Sequence, residues 1–555
     1  MIRTALVESI RNGEFLATWK NNAISGVVVG IVALPLSMGL AIAVGLPPQH
    51  GLYTAIVGGL VIGLLGGSPV NISGPTAAFV VILAPVVLAH GLSGLLVSGF
   101  LAGLIMIGMG LLKLGRFIQT IPYPVVIGFT AGIGTVIATF QLKDFLGLSP
   151  AETPLEYLPR IYHYLLALPS AQWQEALVGF LTLASIFIWK KVPVRIPGYL
   201  IAMIVGTAVA LLFNQVPALP DVDTIATRFS YVVDGSQVGG IPPFAPNFGL
   251  PWGSETYSAA EVFSLFHSLF GVAFAIAILG ALESLLCAVV ADGMTGRQHN
   301  PDTELIGQGV GNLVVPFFGG IPATAAIART ALNVRSGGST PLAAVVHSAF
   351  LLVTVLTLAP WLSHVPMAAM AAILIVVAWN MSEVHHVVHL IRAAPGADIA
   401  VFGVCYGLTV VVDMQVAVAA GMVLAAAMFM RRMSELTNTT LLGEHPVHQH
   451  LASKRGVVVF DVDGPLFFGA AHKALTIVST VDPDVKHVVL DLSSVPAMDT
   501  TGMVNIRSLA DSLQRRDIKL YLYNAPDRIK AKLNRFGLSK DQYGIVITDD
   551  ASLIG

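Results

Sequence analysis

The chain has 555 residues, of which 55% are hydrophobic and 11% charged, with a net charge of −2. Soluble proteins carry about a quarter charged residues, so this composition excludes an ordinary soluble enzyme and places most of the chain in lipid. The near-neutral balance and the lack of a basic stripe give no footing for a nucleic-acid partner.

The charge is unevenly placed: 36 charged residues lie in positions 1–443, or 8%, and 26 in positions 444–555, or 23%. That step divides the chain into a cytoplasmic N-terminal segment (1–22), a transmembrane domain (23–432), a linker (433–452) and a soluble domain (453–555). No signal-peptide cleavage pattern precedes the first apolar run.

Apolar runs near the 20 or so residues that cross a bilayer occupy 23–44, 92–112, 173–190, 262–290, 342–360 and 397–430. The last is long enough for two helices turning near Asp413. Shorter or Gly/Pro-broken runs occupy 52–66, 74–89, 122–140, 198–213, 304–318, 323–334 and 366–393, for 12 to 14 segments in all. Arg3, Arg11 and Lys20, then Lys113 and Arg116, Lys190, Lys191 and Arg195, Arg297, and Arg431 and Arg432 mark the inside loops. The acidic loops 144–156 and 221–261 fall on the other side, so both termini are expected in the cytoplasm of a multi-pass inner-membrane protein.

Two stretches echo each other. Thr76-Ala77-Ala78 follows Gly66-Gly67 and Ser73-Gly74-Pro75, and Thr324-Ala325-Ala326 follows Gly319-Gly320 and Pro322, an offset of 324 − 76 = 248. Short, Gly/Pro-interrupted segments at matching positions of two halves point to a transport site between inverted repeats. If 74–89 and 323–334 are half-helices, opened by Pro75 and Pro322, their N-termini present free N–H groups and positive dipole ends to an anion. Thr76 adds a hydroxyl, Ala77 and Ala78 let an anion approach the backbone, and Arg329 supplies a guanidinium in a region where intramembrane charge is usually functional.

Glu283 is the only charged residue between Glu261 and Asp292. A lone acid within a span can take up and release a proton and so couple proton flow to cargo. His385, His386 and His389 share no Cys or carboxylate cluster and are expected at a cytoplasmic helix end, with no metal or other cofactor. Cys287 and Cys405 read as small buried hydrophobes. No nucleophile–base pair stands out, which argues against an enzyme and gives no catalytic residue.

The stretches 34-LPLSMGLAIAVGLPPQHGLYTA, 71-NISGPTAAF, 283-ESLLCAVVADGMTGRQHNPDTELIGQGVGN and 329-RTALNVRSGG resemble the SulP anion permeases, also called the solute carrier 26 family. The wording is most similar to the family's bacterial C4-dicarboxylate branch. The resemblance implies an α-helical polytopic membrane protein of 14 transmembrane segments in 7+7 inverted repeats, with core and gate domains, and a C-terminal α/β STAS domain. It also implies an elevator-type homodimer. It assigns substrate contacts to Leu36, Ser37, Met38, Thr76, Ala77, Ala78, Ala328 and Arg329, and proton coupling to Glu283. Leu36 and Ala328 depart from the glutamine and serine of many animal members, which puts cargo selectivity in doubt.

In the tail, Val457–Val462, His487–Leu492 and Ile518–Tyr523 read as strands and Gly502–Arg515 as a helix, an α/β pattern. The motif 491-DLSSVPAMDTTG-502 resembles the STAS signature with threonines in place of two serines. Asp499 is a helix cap, and Thr500 and Thr501 stand at the regulatory position, Thr501 matching the hydroxyl phosphorylated in related anti-sigma antagonists. The expected function is proton-coupled uptake of C4-dicarboxylates such as succinate, fumarate or aspartate. The alternatives are transport of sulfate, bicarbonate or nitrate with protons or sodium, and a membrane-anchored regulator that binds a cytoplasmic partner through the STAS domain.

Overall fold

The computed structural model describes residues 4–118, 121–154, 156–189, 191–192, 197–217, 219–233, 235–252, 259–436, 438–441, 456–467, 484–538 and 544–554. Two compact units divide at Met422 and Val423.

The first unit is helical because a backbone in lipid must satisfy its own polar groups. In chain order its helices are α1 (Trp19–Val44), α2 (Gln49–Leu65), α3 (Val80–Leu111), α4 (Tyr123–Leu146), α5 (Tyr157–Leu166), α6 (Trp173–Trp189) and α7 (Gly198–Asn214). They continue as α8 (Ala259–Thr295), α9 (Pro301–Val314), α10 (Ile327–Arg335), α11 (Leu342–Leu362), α12 (Met367–Met381), α13 (Val384–Ala393) and α14 (Gly396–Val411), and α15 (Met414–Leu436) runs through the division between the units. Among the described residues, seven helices are long and apolar enough to cross a membrane, and four further apolar helices are shorter. Inside α3, Gly91 (φ 64°, ψ −163°) breaks the helix into two arms, a conformation that costs glycine little.

Counting the arms separately, each half supplies seven segments: α1, α2, the two arms of α3, α4, α6 and α7, then α8 to α12, α14 and α15. The amphipathic helices α5 and α13 each fall between the fifth and sixth segments of their half. The two-residue strands β1 (Ser73–Gly74) and β4 (Thr324–Ala325) each precede the third. This is the inverted-repeat architecture expected from the sequence. A hairpin of β2 (Ser230–Val233) and β3 (Ser236–Gly239) decorates the acidic loop and was not foreseen.

Much of the helix packing falls into two groups, which join where α1 meets α7 and α12. In one, α3 packs on α8 and α9, and α1 on α11; in the other, α4 packs on α12 and α14, and α6 on α7 and α12. Small residues allow the close approaches: Gly103 meets the Gly309 backbone, Gly26 meets Ala343, and Gly128 and Gly132 meet Cys405 and Thr409. Cys405 and Cys287 are buried free thiols.

Several boundaries differ from the sequence expectation. The run 366–393 is two helices, broken at Glu383 (φ 43°). The three histidines therefore occupy the first turns of α13 rather than a helix C-terminus. His385, His386 and His389 are exposed, and His386 Nδ1 lies 2.8 Å from Glu383 Oε2. Among the described residues no His, Cys, Asp and Glu group is placed to hold a metal. The N-terminal segment is itself helical (Ala5–Arg11, Glu14–Ala17), and Glu14 pairs with Arg297 at 2.9 Å.

The second unit is an α/β domain. Its sheet runs in the order β5 (Asn438–Leu441), β6 (Val457–Asp463), β7 (His487–Asp491), β8 (Lys519–Tyr523) and β9 (Ile545–Thr548). β5 is antiparallel and the other pairings parallel. Helices α16 (Thr500–Gln514) and α17 (Asp527–Phe536) help cover its core, where Leu490, Leu492, Met498, Ile506 and Leu533 are buried. The expected linker 433–452 instead continues α15 to Leu436 and then enters the sheet as β5; positions 442–452 lie outside the described residues.

Candidate functional site: two broken helices meeting at a carboxylate

The two interrupted segments meet head to head. β1 pairs antiparallel with β4, Ser73 opposite Ala325 and Gly74 opposite Thr324. Beyond this short ladder the chain enters a 3-10 turn, Ala77–Phe79, capped by Thr76 on one side, and α10 on the other. The helix after Pro322 therefore starts at Ile327, later than the sequence suggested, because residues 324–325 are spent on the ladder.

The ladder pairs Gly74 with Thr324, and both threonines of the repeated triplet converge on one acid. Thr76 Oγ1 donates to Glu283 Oε2 at 2.9 Å, and Thr324 Oγ1 donates to the same oxygen at 3.0 Å.

Irregular backbone at membrane depth needs substitute partners, and neighbouring side chains supply them. Asn312 brackets Ala323, accepting from its N–H at 2.8 Å and donating to its carbonyl at 2.9 Å. Thr54 does the same for Ile321 at 2.7 and 2.9 Å. Ser284 accepts from Ala325 N–H, Thr330 from Ile72 N–H, and Asn333 donates to Val70 O. Glu304, 1% exposed, accepts from the N–H groups of Gly67 and Ser68 and from the side chains of Asn71 and Gln308. None of these supports was singled out from the sequence. Their signal was present: Glu304, Gln308 and Asn312 recur every four residues, a polar stripe along one face of α9.

Arg329 is 2% exposed. Its Nη2 donates to Pro75 O at 3.0 Å, while Nη1 is buried without a hydrogen bond beside Gly74, where a Cβ would collide with it. The side chain thus reaches back from α10 to the start of the other half-helix. Ala77 and Ala78 are buried, whereas Ile327 and Ala328 are exposed in the first turn of α10. First-turn N–H groups have no helical partner, so this end carries backbone donors beside exposed side chains.

Leu36, Ser37 and Met38 lie in α1, buried within or beside an apolar cluster that includes Leu52, Ala55 and Met370. Ser37 Oγ makes no hydrogen bond, so no side-chain bond joins these three residues to Thr76, Glu283 or Arg329. In the second unit, Asp499 accepts from Gly502 N–H at 2.8 Å as the cap of α16, and Thr500 and Thr501 are exposed.

Similarity to known proteins agrees with this architecture. Residues 19–404 match the sulfate permease family and residues 450–547 the STAS domain. The "Putative sulfate transporter YvdB" of Bacillus subtilis is 38% identical over 95% of each chain. The bicarbonate transporter BicA of Picosynechococcus is 29% identical over 94% of this chain and 91% of its own. The solved structure of SLC26A9 superposes with a TM-score of 0.83 at 17% identity, covering 99% of this chain and 91% of that one, a likeness of fold. The family match over residues 19–404, the relative at 38% identity and the C-terminal STAS domain together identify the chain as an anion transporter of the sulfate permease (SulP, solute carrier 26) family.

Proposed function

We propose that the protein is a secondary active carrier of small inorganic oxyanions, sulfate or bicarbonate, working by elevator-type alternating access rather than as an enzyme. The observation that carries this reading is Arg329: a buried guanidinium with one free nitrogen, adjacent to two helix starts, is a counter-charge awaiting an anion. The names of the relatives favour the inorganic alternative over the C4-dicarboxylate expectation.

Glu283 is the coupling group in this reading. Bonded to a threonine from each half, it registers whether the two half-helices are together, and its protonation offsets part of the charge carried with the anion. The body containing α1–α3 and α8–α11 moves against the body containing α4, α6, α7, α12 and α14, in a homodimer of the inner membrane with both termini and the STAS domain cytoplasmic. Asp499, Thr500 and Thr501 present the STAS surface for control by a cytoplasmic partner.

The test is uptake of labelled sulfate and bicarbonate into proteoliposomes, with and without an inward proton or sodium gradient, in competition with nitrate and succinate. Succinate displacing both inorganic anions would restore the dicarboxylate reading, and sodium dependence without proton dependence would remove Glu283 as a proton carrier.

A further inference from the structure

Ahead of α1 the chain folds as two short helices, Ala5–Arg11 and Glu14–Ala17. One side of this segment is seated on the transmembrane unit: Ala5 and Ser9 are buried, and the Ala5 N–H donates to Gly66 O at 3.0 Å, at the end of α2. The other side is apolar and bare, with Val7, Ile10 and Leu16 each more than half exposed. The start of α1 shows what covers them. Lys20, Ile24 and Val27 recur at helical spacing and are all exposed, so this face of the first span looks into lipid with Lys20 at its inner end. Trp19 is exposed beside it, and Lys20 Nζ lies 5.9 Å from the indole ring centre. Tryptophan and lysine at the end of a span sit at headgroup level. Residues 5–17 lead directly into that layer, so the bare apolar side chains stand beside the membrane surface. Arg11 and Lys20 are exposed there, Glu14 is paired with Arg297, and Glu8 is the one exposed acid of the segment.

The segment is also joined to the anion site. Thr18 Oγ1 donates to Glu14 O, and Asn22 Nδ2 donates to both Thr18 oxygens, which fastens the second short helix to α1. Asn22 Oδ1 then accepts from the N–H groups of Ser339 and Thr340 at 2.8 and 3.1 Å. Ser25 Oγ donates to Asn333 Oδ1 at 2.7 Å, one turn beyond Arg329 in α10.

We propose that residues 5–20 are a foot that binds the anionic phospholipid headgroups of the inner leaflet, and that this contact steadies α10 through Asn22 and Ser25. Val7, Ile10 and Leu16 enter the acyl boundary while Arg11 and Lys20 meet the phosphates, the arrangement of a helix lying in the membrane interface. Each basic residue held near an anionic surface is worth about fivefold in affinity. The relay to α10 rests on the reading of Arg329 as the anion's counter-charge; the lipid contact does not.

The experiment titrates the full-length protein in neutral detergent with dibrominated phosphatidylglycerol or dibrominated phosphatidylcholine, whose bromines quench a nearby indole. The difference between each protein and its Trp19→Phe counterpart isolates Trp19. Half-quenching is expected at less phosphatidylglycerol than phosphatidylcholine. Arg11→Gln and Lys20→Gln each reduce that preference about fivefold, and high salt removes it. Leu16→Ser weakens both lipids alike, by about tenfold for one buried apolar side chain. Equal quenching by the two lipids, an unchanged preference in R11Q and K20Q, wild-type binding by L16S, or a Trp19 that neither lipid quenches would overturn the contact; the last is the result if protein covers this face. Uptake of labelled sulfate, or bicarbonate if the competition panel selects it, tests the relay. In phosphatidylglycerol vesicles the R11Q/K20Q pair raises KM above wild type in the same vesicles, by at most about fivefold per residue. In phosphatidylcholine vesicles the two agree. Comparing proteins within one vesicle composition cancels the membrane's own repulsion of the anion. A KM ratio that is the same in both lipids would overturn the relay. Wild-type anion binding by Arg329→Met would instead remove the counter-charge reading and leave the lipid contact standing.

Discussion

Thr76 and Thr324, 248 positions apart and on opposite halves of the chain, donate to one and the same oxygen of Glu283, at 2.9 and 3.0 Å. A carboxylate oxygen has room for two donors, and here one comes from each broken segment. The acid is therefore a joint as well as a titratable group, so its charge state and the closeness of the two helix starts are linked.

Glu283→Gln keeps an oxygen able to accept from both threonines but cannot release a proton at working pH. Uptake by E283Q is expected to lose its response to a proton gradient, while thermal stability in detergent stays close to wild type. Glu283→Ala removes both bonds and should destabilise by about 2 kcal/mol at about 1 kcal/mol each. Retained acceleration by a proton gradient in E283Q would assign coupling elsewhere.

Arg329→Lys is not a conservative change. One fork nitrogen holds Pro75 O while another is free, a division that a single ammonium cannot reproduce. Both R329K and R329M are expected to weaken anion binding by about tenfold or more, the loss typical of a charge-assisted hydrogen bond. Equilibrium binding to purified protein reads this directly, and wild-type affinity in R329K would show that charge alone suffices.

Gly74→Ala tests the closeness of the two half-helices. Its methyl would collide with Arg329 Nη1, whereas a methyl on Gly271 of α8 meets nothing within 4 Å. Transport by G74A should fall severely while G271A transports as wild type, in parallel uptake assays normalised to surface expression.

Glu304 holds four donors and, among the described residues, no cation. Glu304→Gln turns one acceptor into a donor facing N–H groups, a change expected to cost about 3 kcal/mol or more because buried bonds to a charged group are strong. Thermal unfolding in detergent should show the loss even at saturating anion, which separates this support from the anion site itself.

Asp499→Ala removes the cap of α16 and should cost about 1 kcal/mol of domain stability. Thr501→Ala, at an exposed position, should leave unfolding unchanged. A large stability loss in T501A would give that hydroxyl a structural task.

Most of the helical order was legible because apolar runs of bilayer length force helices, and Gly91 and Asp413 punctuated them where the chain turns. The site was legible in its elements: Arg329 and Glu283 stood out as charges in apolar surroundings, and both threonines fell in the repeated triplet. The ladder between the two segments was not legible, because two residues leave no periodicity to read. Nor were the supports. Asn312, Thr54 and Asn333 look unremarkable singly, and only the bent backbone they bracket gives them partners. β5 was missed because an edge strand of four residues carries little alternation.

The ladder between Ser73–Gly74 and Thr324–Ala325 makes the site a seam. Each half of the chain contributes one lip and part of the stitching: Arg329 from the second half fastens to Pro75 of the first, and Asn71 of the first to Glu304 of the second. Neither half can present a finished pocket alone. A half expressed alone would expose an unmatched strand edge and could complete the ladder only by meeting a second half inserted in the opposite orientation, so within one chain the assembly of the seam does not depend on protein concentration.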